Sequence, residues 1–534
     1  MIEMGNQINT SWWSCLPGSI SQLFRLTVGL ILTCVVLMII HLFQRRQKLL
    51  NAFRDFPGPP AHWLYGHIYK WENGGELRSV AKWTETFPRC FPLWFGRFVG
   101  GLLINHPEYA REVLSRGDPK HTLTHKFFLP FIGKGLILLD GTKWQQHRKL
   151  LTPGFHNEIL KPYVTLIAES VKVMLDKWEK EVSEDPEASV EIYKDVCLMT
   201  LDSNMKCAFS FHSNCQMDRD NPYAKAIFDI TYLITERMKI PLYQSNLIYW
   251  FTSQGHQFRK ACRVSHCHTD RVIRERQKSL KDNNESILKK KHLDFLDILL
   301  LAKDEKGRPL PHEDIRAEAD TFLAAGHDTS TSAISWLFYC MAQNPEHQQK
   351  CREEIKALLE DQDTIKWDHL RKMTYTTMCI KETLRIYPPI SVMLRLLKEP
   401  LTFHDGRTLP EDLLVGISIY GIHRNPEIWN NPEAFDPMRF SPENSHSRHP
   451  YAFLPFSAGS RNCIGQQFAL TEMKVALALT LLKFELKLDP AKPATPVVQI
   501  VTSPENGMYL KLKKLPPYLL SSCNNLEGNY LCET

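Results

Sequence analysis

From Leu26 to Phe43 the chain is almost unbroken apolar sequence with no acidic or basic residue, and only Cys34 and His41 are ionisable. Such a run is just long enough to cross a bilayer core, which takes ~20 residues of helix. Arg45, Arg46, Lys48 and Arg54 follow it and place that end in the cytosol by the positive-inside rule, with Arg25 weakly opposed. The preceding segment contains Glu3, is not basic, and no small-x-small cleavage site follows the run, which favours an uncleaved anchor over a signal peptide. The pattern thus divides the start of the chain into a short lumenal N-terminus at 1–22, a transmembrane anchor at 23–44 and a basic, proline-rich hinge at 45–60. Phe56-Pro57-Gly58-Pro59-Pro60 lacks backbone donors and has fixed φ angles, so it reads as a stiff, non-helical spacer.

Beyond the hinge, Phe98 to Ile104 reads as a hairpin turning at Gly100-Gly101, and Pro107 opens a helix. From about Gly141 to Met378 the period is helical, with breaks at Pro153, Pro162, Pro222 and Pro241. One long helix is predicted over Ile315–Asn344, ended by Asn344-Pro345, and another over Gln466–Phe484. Lys281 to Lys291 is charged without a core pattern and reads as a solvated loop. Strand-like runs appear at Leu401–Phe403, Thr408–Pro410, Leu414–Tyr420 and Met508–Leu512. The expected fold is mainly α with smaller β-sheets, in one catalytic domain at 61–515 with a polar tail at 516–534.

Composition changes this picture little. The 534 residues show no Gly/Ser-rich linker or internal repeat, and a net charge of +6 gives no reason to expect nucleic acid. The 14 cysteines form no CxxC pair and no disulfide-like framework, which fits a reducing, cytosol-facing compartment. Cys262, His266, Cys267 and His268 match no standard zinc spacing and read as a solvated helix face.

The chemistry is concentrated in Phe456-Ser457-Ala458-Gly459-Ser460-Arg461-Asn462-Cys463-Ile464-Gly465, directly before an apolar helix. A cysteine at a helix N-terminus meets unpaired N–H groups and the positive dipole end, which favour a thiolate. A thiolate held this way suits axial ligation of haem iron. Gly459 and Gly465 would let the backbone pass close beneath a flat macrocycle, Phe456 would shield the sulfur, and Arg461 would reach a propionate. Trp144 and Arg148 lie one helical turn apart and together would hold a propionate, or else form a surface pair. In the middle of the long helix, Ala325-Gly326-His327-Asp328-Thr329-Ser330 offers small residues beside an acid–alcohol pair. The Thr329 hydroxyl is positioned to bond back to the Ala325 carbonyl and open a groove for proton relay, the alternative being a helix-packing face. Glu382 and Arg385 at i and i+3, joined by Arg439, would form a buried charge network fixing the Cys463 loop.

These motifs, in this order, resemble the cytochrome P-450 superfamily over about residues 20 to 515. Gly326-His327-Asp328-Thr329, Leu151-Thr152-Pro153-Gly154-Phe155-His156 and His449 to Gly459 are similar to its family-4 members. The resemblance implies the cytochrome P-450 fold and a haem-thiolate monooxygenase in the endoplasmic reticulum membrane, its catalytic domain facing the cytosol. It implies haem b ligated by Cys463, with propionates on Arg148, Arg395 and Arg461. Electrons would come from NADPH through a flavoprotein reductase, with cytochrome b5 as a further partner, docking where Lys143, Lys149 and Lys474 lie. The substrates implied are fatty acids or related lipids. Many family-4 members carry a haem-esterified glutamate immediately before the groove glycine. Ala325 stands there, so the haem is expected to be non-covalent, with in-chain hydroxylation or epoxidation left open beside chain-end oxidation. Competing readings are a monooxygenase of xenobiotics, a reductase-independent peroxide isomerase, which would not need Asp328 and Thr329, and a non-catalytic haem or lipid-binding membrane protein. The expected substrate pocket is apolar, lined around Thr122–Phe131, Ala319–Ala325, the stretch after Pro388 and Ser503–Gly507.

Overall fold

The computed structural model describes residues 18–67, 75–120, 122–218, 221–282, 293–303, 307–359 and 364–516. The first 17 residues, most of the charged stretch before Lys291, and the tail from 517 lie outside the described residues. The fold is mainly α with small β-sheets, as the pattern predicts.

Helix α1 spans Gly18–Ala52, and its apolar part is long enough to cross a membrane, with none of it buried against the rest of the protein. It does not stop at the basic residues. The helix continues through Arg45, Arg46 and Lys48, and Leu49, Phe53 and Phe56 are buried in a core shared with Leu102, Ile104, Val415 and Ile417. The hinge expected at 45–60 is therefore helical in its first half and packed against the sheet, because its apolar residues find a core to enter.

That sheet orders four strands as β1-β2-β4-β3: β1 is Cys90–Trp94, β2 is Gly100–Ile104, β3 is Val392–Leu396 and β4 is Leu414–Ser418. β1 and β2 pair antiparallel from Cys90–Ile104 to Trp94–Gly100. Gly100 and Gly101 thus lie inside β2, and the turn falls at residues 95–99. Smallness is needed there for packing: a Cβ on Gly101 would meet the Leu414 carbonyl oxygen at 2.8 Å.

The helices that frame the site are α2 (Thr122–Ile132), α3 (Gly141–Leu151), α4 (Tyr163–Glu184), α5 (Ile192–Phe209), α6 (Pro222–Lys239), α7 (Ser253–Asp282), α8 (His312–Gln343), α9 (Thr374–Ile386) and α10 (Gln466–Lys483). α8 is the central element, packed against α5, α7, α9 and α10. From Ser330 to Ala342 every residue of α8 is buried. Trp336, Leu337 and Phe338 anchor this half, each worth roughly 1.5–3 kcal/mol on burial. α8 starts three residues before the predicted Ile315, and Pro311 precedes it as N-cap.

The Cys262–His268 cluster on α7 is not a solvated face. Cys262 is in the core, the His266 ring bonds to the Phe131 carbonyl oxygen at 2.8 Å, and His268 packs on Tyr223 at 4.3 Å between ring centroids. Among the described residues no group of His, Cys, Asp and Glu is arranged to hold a metal ion.

Candidate active site

The loop carrying Cys463 is closed by its backbone, the Cys463 N–H donating to the Phe456 carbonyl at 2.9 Å. α10 begins three residues later with Gly465 as N-cap, and the Gly465 N–H bonds to the Cys463 sulfur. The side chain is accessible by area although burial is the main influence on its thiol, so it opens on an internal space rather than the outer surface. Burial pushes the thiol up, against the opposing pull of the Gly465 N–H, Lys120 and Arg148. Coordination to a metal deprotonates such a sulfur.

The same internal space is marked on α8. Its middle residues Phe322, Ala324, Ala325, Asp328 and Thr329 are only half-buried, although the helix beyond them is fully enclosed. Phe322, Ala324, Trp144 and Ile464 pack against one apolar cluster, which brings α8, α3 and the Cys463 loop together. The Thr329 hydroxyl donates to the Ala325 carbonyl at 2.9 Å, the back-bond expected from the sequence. Burial raises Asp328, opposed by His327, and its carboxyl also acts on Tyr193 and Cys197 of α5. Gly326 turns elsewhere. A Cβ on it would stand 2.6 Å from Asn204 Nδ2, so its smallness serves the α5–α8 contact rather than the cofactor face. Gly459 differs in the same way: with φ +75° and a Cβ position 2.2 Å from the Leu114 carbonyl oxygen, it is fixed by that neighbour. A Cβ on Gly465 would meet nothing nearer than the Cys463 sulfur at 4.0 Å.

Trp144 and Arg148 grip the loop. Arg148 donates through Nη1 to the Asn462 carbonyl and through Nη2 to Asn462 Oδ1, both at 2.8 Å. The Arg461 guanidinium lies 4.6 Å from the Trp144 ring and is paired with Asp140 and the Leu139 carbonyl. One helical turn apart, Trp144 and Arg148 thus both meet the Cys463 loop. Arg395 on β3 is 3% exposed and is drawn down to about 10 by burial and by Arg461. Beside it stands a residue the sequence did not reveal, Lys120, whose backbone forms a β-bridge to Arg395. Burial, Arg461 and Arg395 push Lys120 down to about 7. Lys120, Arg395 and Arg461 thus crowd together, and Asp140 is the carboxylate that acts on all of them.

The supporting network is deeper than its motifs suggest. Glu382 and Arg385 are both 0% exposed and joined bidentately, Nε to Oε2 and Nη2 to Oε1, each at 2.8 Å. Arg385 Nη1 donates to the carbonyls of His423 and Pro432, and Nη2 to that of Ala434, so every guanidinium N–H is used. The Asp436 N–H donates to Glu382 Oε1 at 2.9 Å, and Arg439 Nε lies 3.3 Å from the same oxygen. The link to the cysteine loop is His423, another residue missed from sequence. Burial and Arg385 push it down to about 3, and its neutral Nε2 accepts from the Leu454 N–H at 2.8 Å. Two more missed residues brace α8. Buried Glu318 binds His147 at 2.7 Å and the Leu136 N–H at 3.0 Å. Glu472, pushed up to about 7 by burial, joins α10 to Ser203 of α5 and Ser330 of α8.

A cysteine facing an enclosed space, opposite a half-open helix and beside a crowd of cations, suits a flat, dianionic, sulfur-ligated cofactor. The cytochrome P450 family model matches residues 56–512. The chain belongs to the cytochrome P450 family. It is 52% identical over 502 residues to cytochrome P450 4B1 of Rattus norvegicus, covering 94% of this chain and 98% of that one. It is 49% identical over 501 residues to taurochenodeoxycholic 6 alpha-hydroxylase of Sus scrofa, covering 93% and 99%. The solved cytochrome P450DA haem domain superposes with a TM-score of 0.76 at 24% identity, covering 86% of this chain and 98% of that one, which shows the fold. The protein is a P450 monooxygenase, and the family implies haem. The donor set fits that group: one sulfur reached from an enclosed space, and cations in excess of carboxylates beside it.

Of the lysines expected at a reductase face, Lys149 is exposed. Lys143 is paired with Asp314 at 2.9 Å, and half-buried Lys474 donates to the Leu370 carbonyl at 2.8 Å. Lys143 and Lys149 are thus both exposed, whereas Lys474 is turned toward the protein.

Proposed function

We propose that this P450 inserts one oxygen atom from O2 into fatty acids or related amphiphilic lipids, by hydroxylation or epoxidation, with electrons from NADPH through a flavoprotein reductase. The carrying observation is the accessible Cys463 sulfur at the start of α10, in a loop whose Ile464 packs with the half-buried Phe322 and Ala324 of α8 against one apolar cluster. Bound through iron to the Cys463 sulfur, haem b supplies the reductive activation of dioxygen. Cys463 is the ligand, and the Gly465 N–H tempers its sulfur. Arg148, Arg395 and Arg461, with Lys120, would balance the propionates, Trp144 would help to hold one of them, and Phe456 would shield the sulfur. Asp328, its carboxyl raised by burial, would deliver protons together with the Thr329 hydroxyl, which donates to the Ala325 carbonyl. Apolar walls exclude water from the reacting carbon.

Ala325 offers no carboxylate to the haem, so binding is non-covalent. Acid–organic extraction followed by intact-protein mass spectrometry gives the polypeptide mass alone, and retained haem mass contradicts this. Without that tether the haem is less rigidly placed, and inner C–H bonds compete with the chain end. A relative named for hydroxylation at a 6 alpha position favours such latitude. α1 anchors the enzyme in the endoplasmic reticulum membrane with its catalytic domain on the cytosolic side, where the reductase and cytochrome b5 reach it. The functional test is incubation of membranes containing the protein with reductase, NADPH and a panel of fatty acids. Oxygenated products are expected, some of them in-chain. A normal thiolate-type carbon monoxide spectrum with no product from any fatty acid contradicts the lipid reading and points to xenobiotics.

A further inference from the structure

Lys126 of α2 and Arg237 of α6 meet over one aromatic ring. Lys126 Nζ lies 4.9 Å and Arg237 Cζ 4.7 Å from the centroid of Phe127. Arg237 Cζ also lies 4.1 Å from the Tyr249 ring. Arg237 is 4% exposed, whereas Lys126 is half-buried. Burial lowers both, Lys126 is lowered further by Arg237, the Tyr249 phenol opposes the shift of Arg237, and no carboxylate among the described residues is a named influence on either. Two cations drawn together without a carboxylate, one of them buried, leave a place for an anion.

Their hydrogen bonds leave donors unspent. Arg237 gives Nε to the Tyr243 carbonyl at 2.9 Å and Nη2 to Asn246 Oδ1 at 2.6 Å. Lys126 gives one N–H to the Gln244 carbonyl at 3.0 Å. That leaves Arg237 Nη1 and the remaining ammonium protons of Lys126 for a ligand. The surroundings suit an amphiphile. Phe127 belongs to the same apolar cluster as Ala319 and Leu323 of α8, and Phe322, Ala324 and Ile464 pack against that cluster. The apolar cluster under the two cations thus extends through α8 to the residue beside Cys463. On the other side, the segment that accepts their hydrogen bonds exposes Leu242 and Leu247, followed by Phe251 at 80%.

We propose that Lys126 and Arg237 bind the carboxylate of an acidic amphiphilic substrate, whose chain lies along the α2–α8 surface toward Cys463. This rests on the lipid-oxidation reading and names the head-group chemistry that reading lacks, since Arg395 is taken up beside Lys120 and Arg461. The rival role is a staple, with Arg237 merely fixing the 241–246 turn. A staple affects charged and uncharged ligands alike.

The test uses full-length, haem-loaded protein titrated with dodecanoic acid and with dodecan-1-ol, followed by the spin-state change of the haem spectrum. For Lys126→Gln the ratio of acid to alcohol affinity falls about tenfold, equal to ~1.4 kcal/mol. For Arg237→Gln it falls at least as far, and Arg237→Lys keeps most of it. An unchanged ratio in Lys126→Gln, whether both affinities hold or both weaken, overturns the anchor. Should Arg237→Gln fail to take up haem, the half-buried Lys126→Gln decides alone. Wild-type protein that binds both ligands with a ratio insensitive to these charges refutes the anchor only. Wild-type protein that neither binds nor oxidises either ligand refutes the lipid reading and the anchor with it.

Discussion

Cys463→Ala abolishes the thiolate-type carbon monoxide spectrum and all NADPH-dependent turnover, while far-ultraviolet circular dichroism and chromatographic behaviour stay those of the wild type. The separation is expected because the side chain contributes little to the core. It faces the internal space, and the bond that closes its loop, Cys463 N–H to the Phe456 carbonyl at 2.9 Å, is made by backbone that alanine retains. The grip of Arg148 on Asn462 is likewise untouched. Histidine at 463 could restore an iron ligand without a thiolate, so alanine is the cleaner change. A Cys463→Ala protein with full turnover in its native membrane contradicts every haem-thiolate reading.

Glu382→Gln is the largest expected loss of stability, ~3–5 kcal/mol, because it strips the charge from one member of a fully buried pair and leaves Arg385 uncompensated. Its effect reaches the site. With Arg385 released, its bonds to the carbonyls of His423, Pro432 and Ala434 loosen, and His423 holds the Leu454 N–H just before the cysteine loop. Haem content at 37 °C therefore falls with the unfolding midpoint. Arg439→Gln gives the internal control. Arg439 is partly exposed and approaches Glu382 at 3.3 Å, so its loss costs about 1 kcal/mol. Equal destabilisation by the two variants contradicts the assigned hierarchy.

Local chemistry was legible where one short stretch determines it. The long apolar N-terminal helix, the end of α8 at Asn344, the span of α10, the Thr329 back-bond and the i, i+3 pair Glu382–Arg385 follow from spacing alone, and the structure bears them out. What escaped depends on residues far apart in the chain. Lys120 has no motif, and only the strand partner of Arg395 brings it to the cation cluster. Glu318, Glu472 and His423 look like ordinary surface residues until the packing of α3, α5, α8 and α9 encloses them. At Gly326 and Gly459 the space a side chain would take is filled by Asn204 and the Leu114 carbonyl, a packing demand that spacing along the chain does not reveal. At 45–60 the basic residues and the proline run at 57–60 suggested a non-helical hinge, whereas Leu49, Phe53 and Phe56 had an apolar face ready for the sheet.

The central claim is oxygen insertion from dioxygen at a Cys463-bound haem. The most direct measurement is mass spectrometry of the product formed from a fatty acid under heavy-isotope-labelled dioxygen, with reductase and NADPH present. The account predicts one labelled oxygen atom per product molecule and no product when NADPH is omitted. An unlabelled product, or product formation without NADPH from a peroxidised lipid, contradicts it and makes the protein a peroxide isomerase instead.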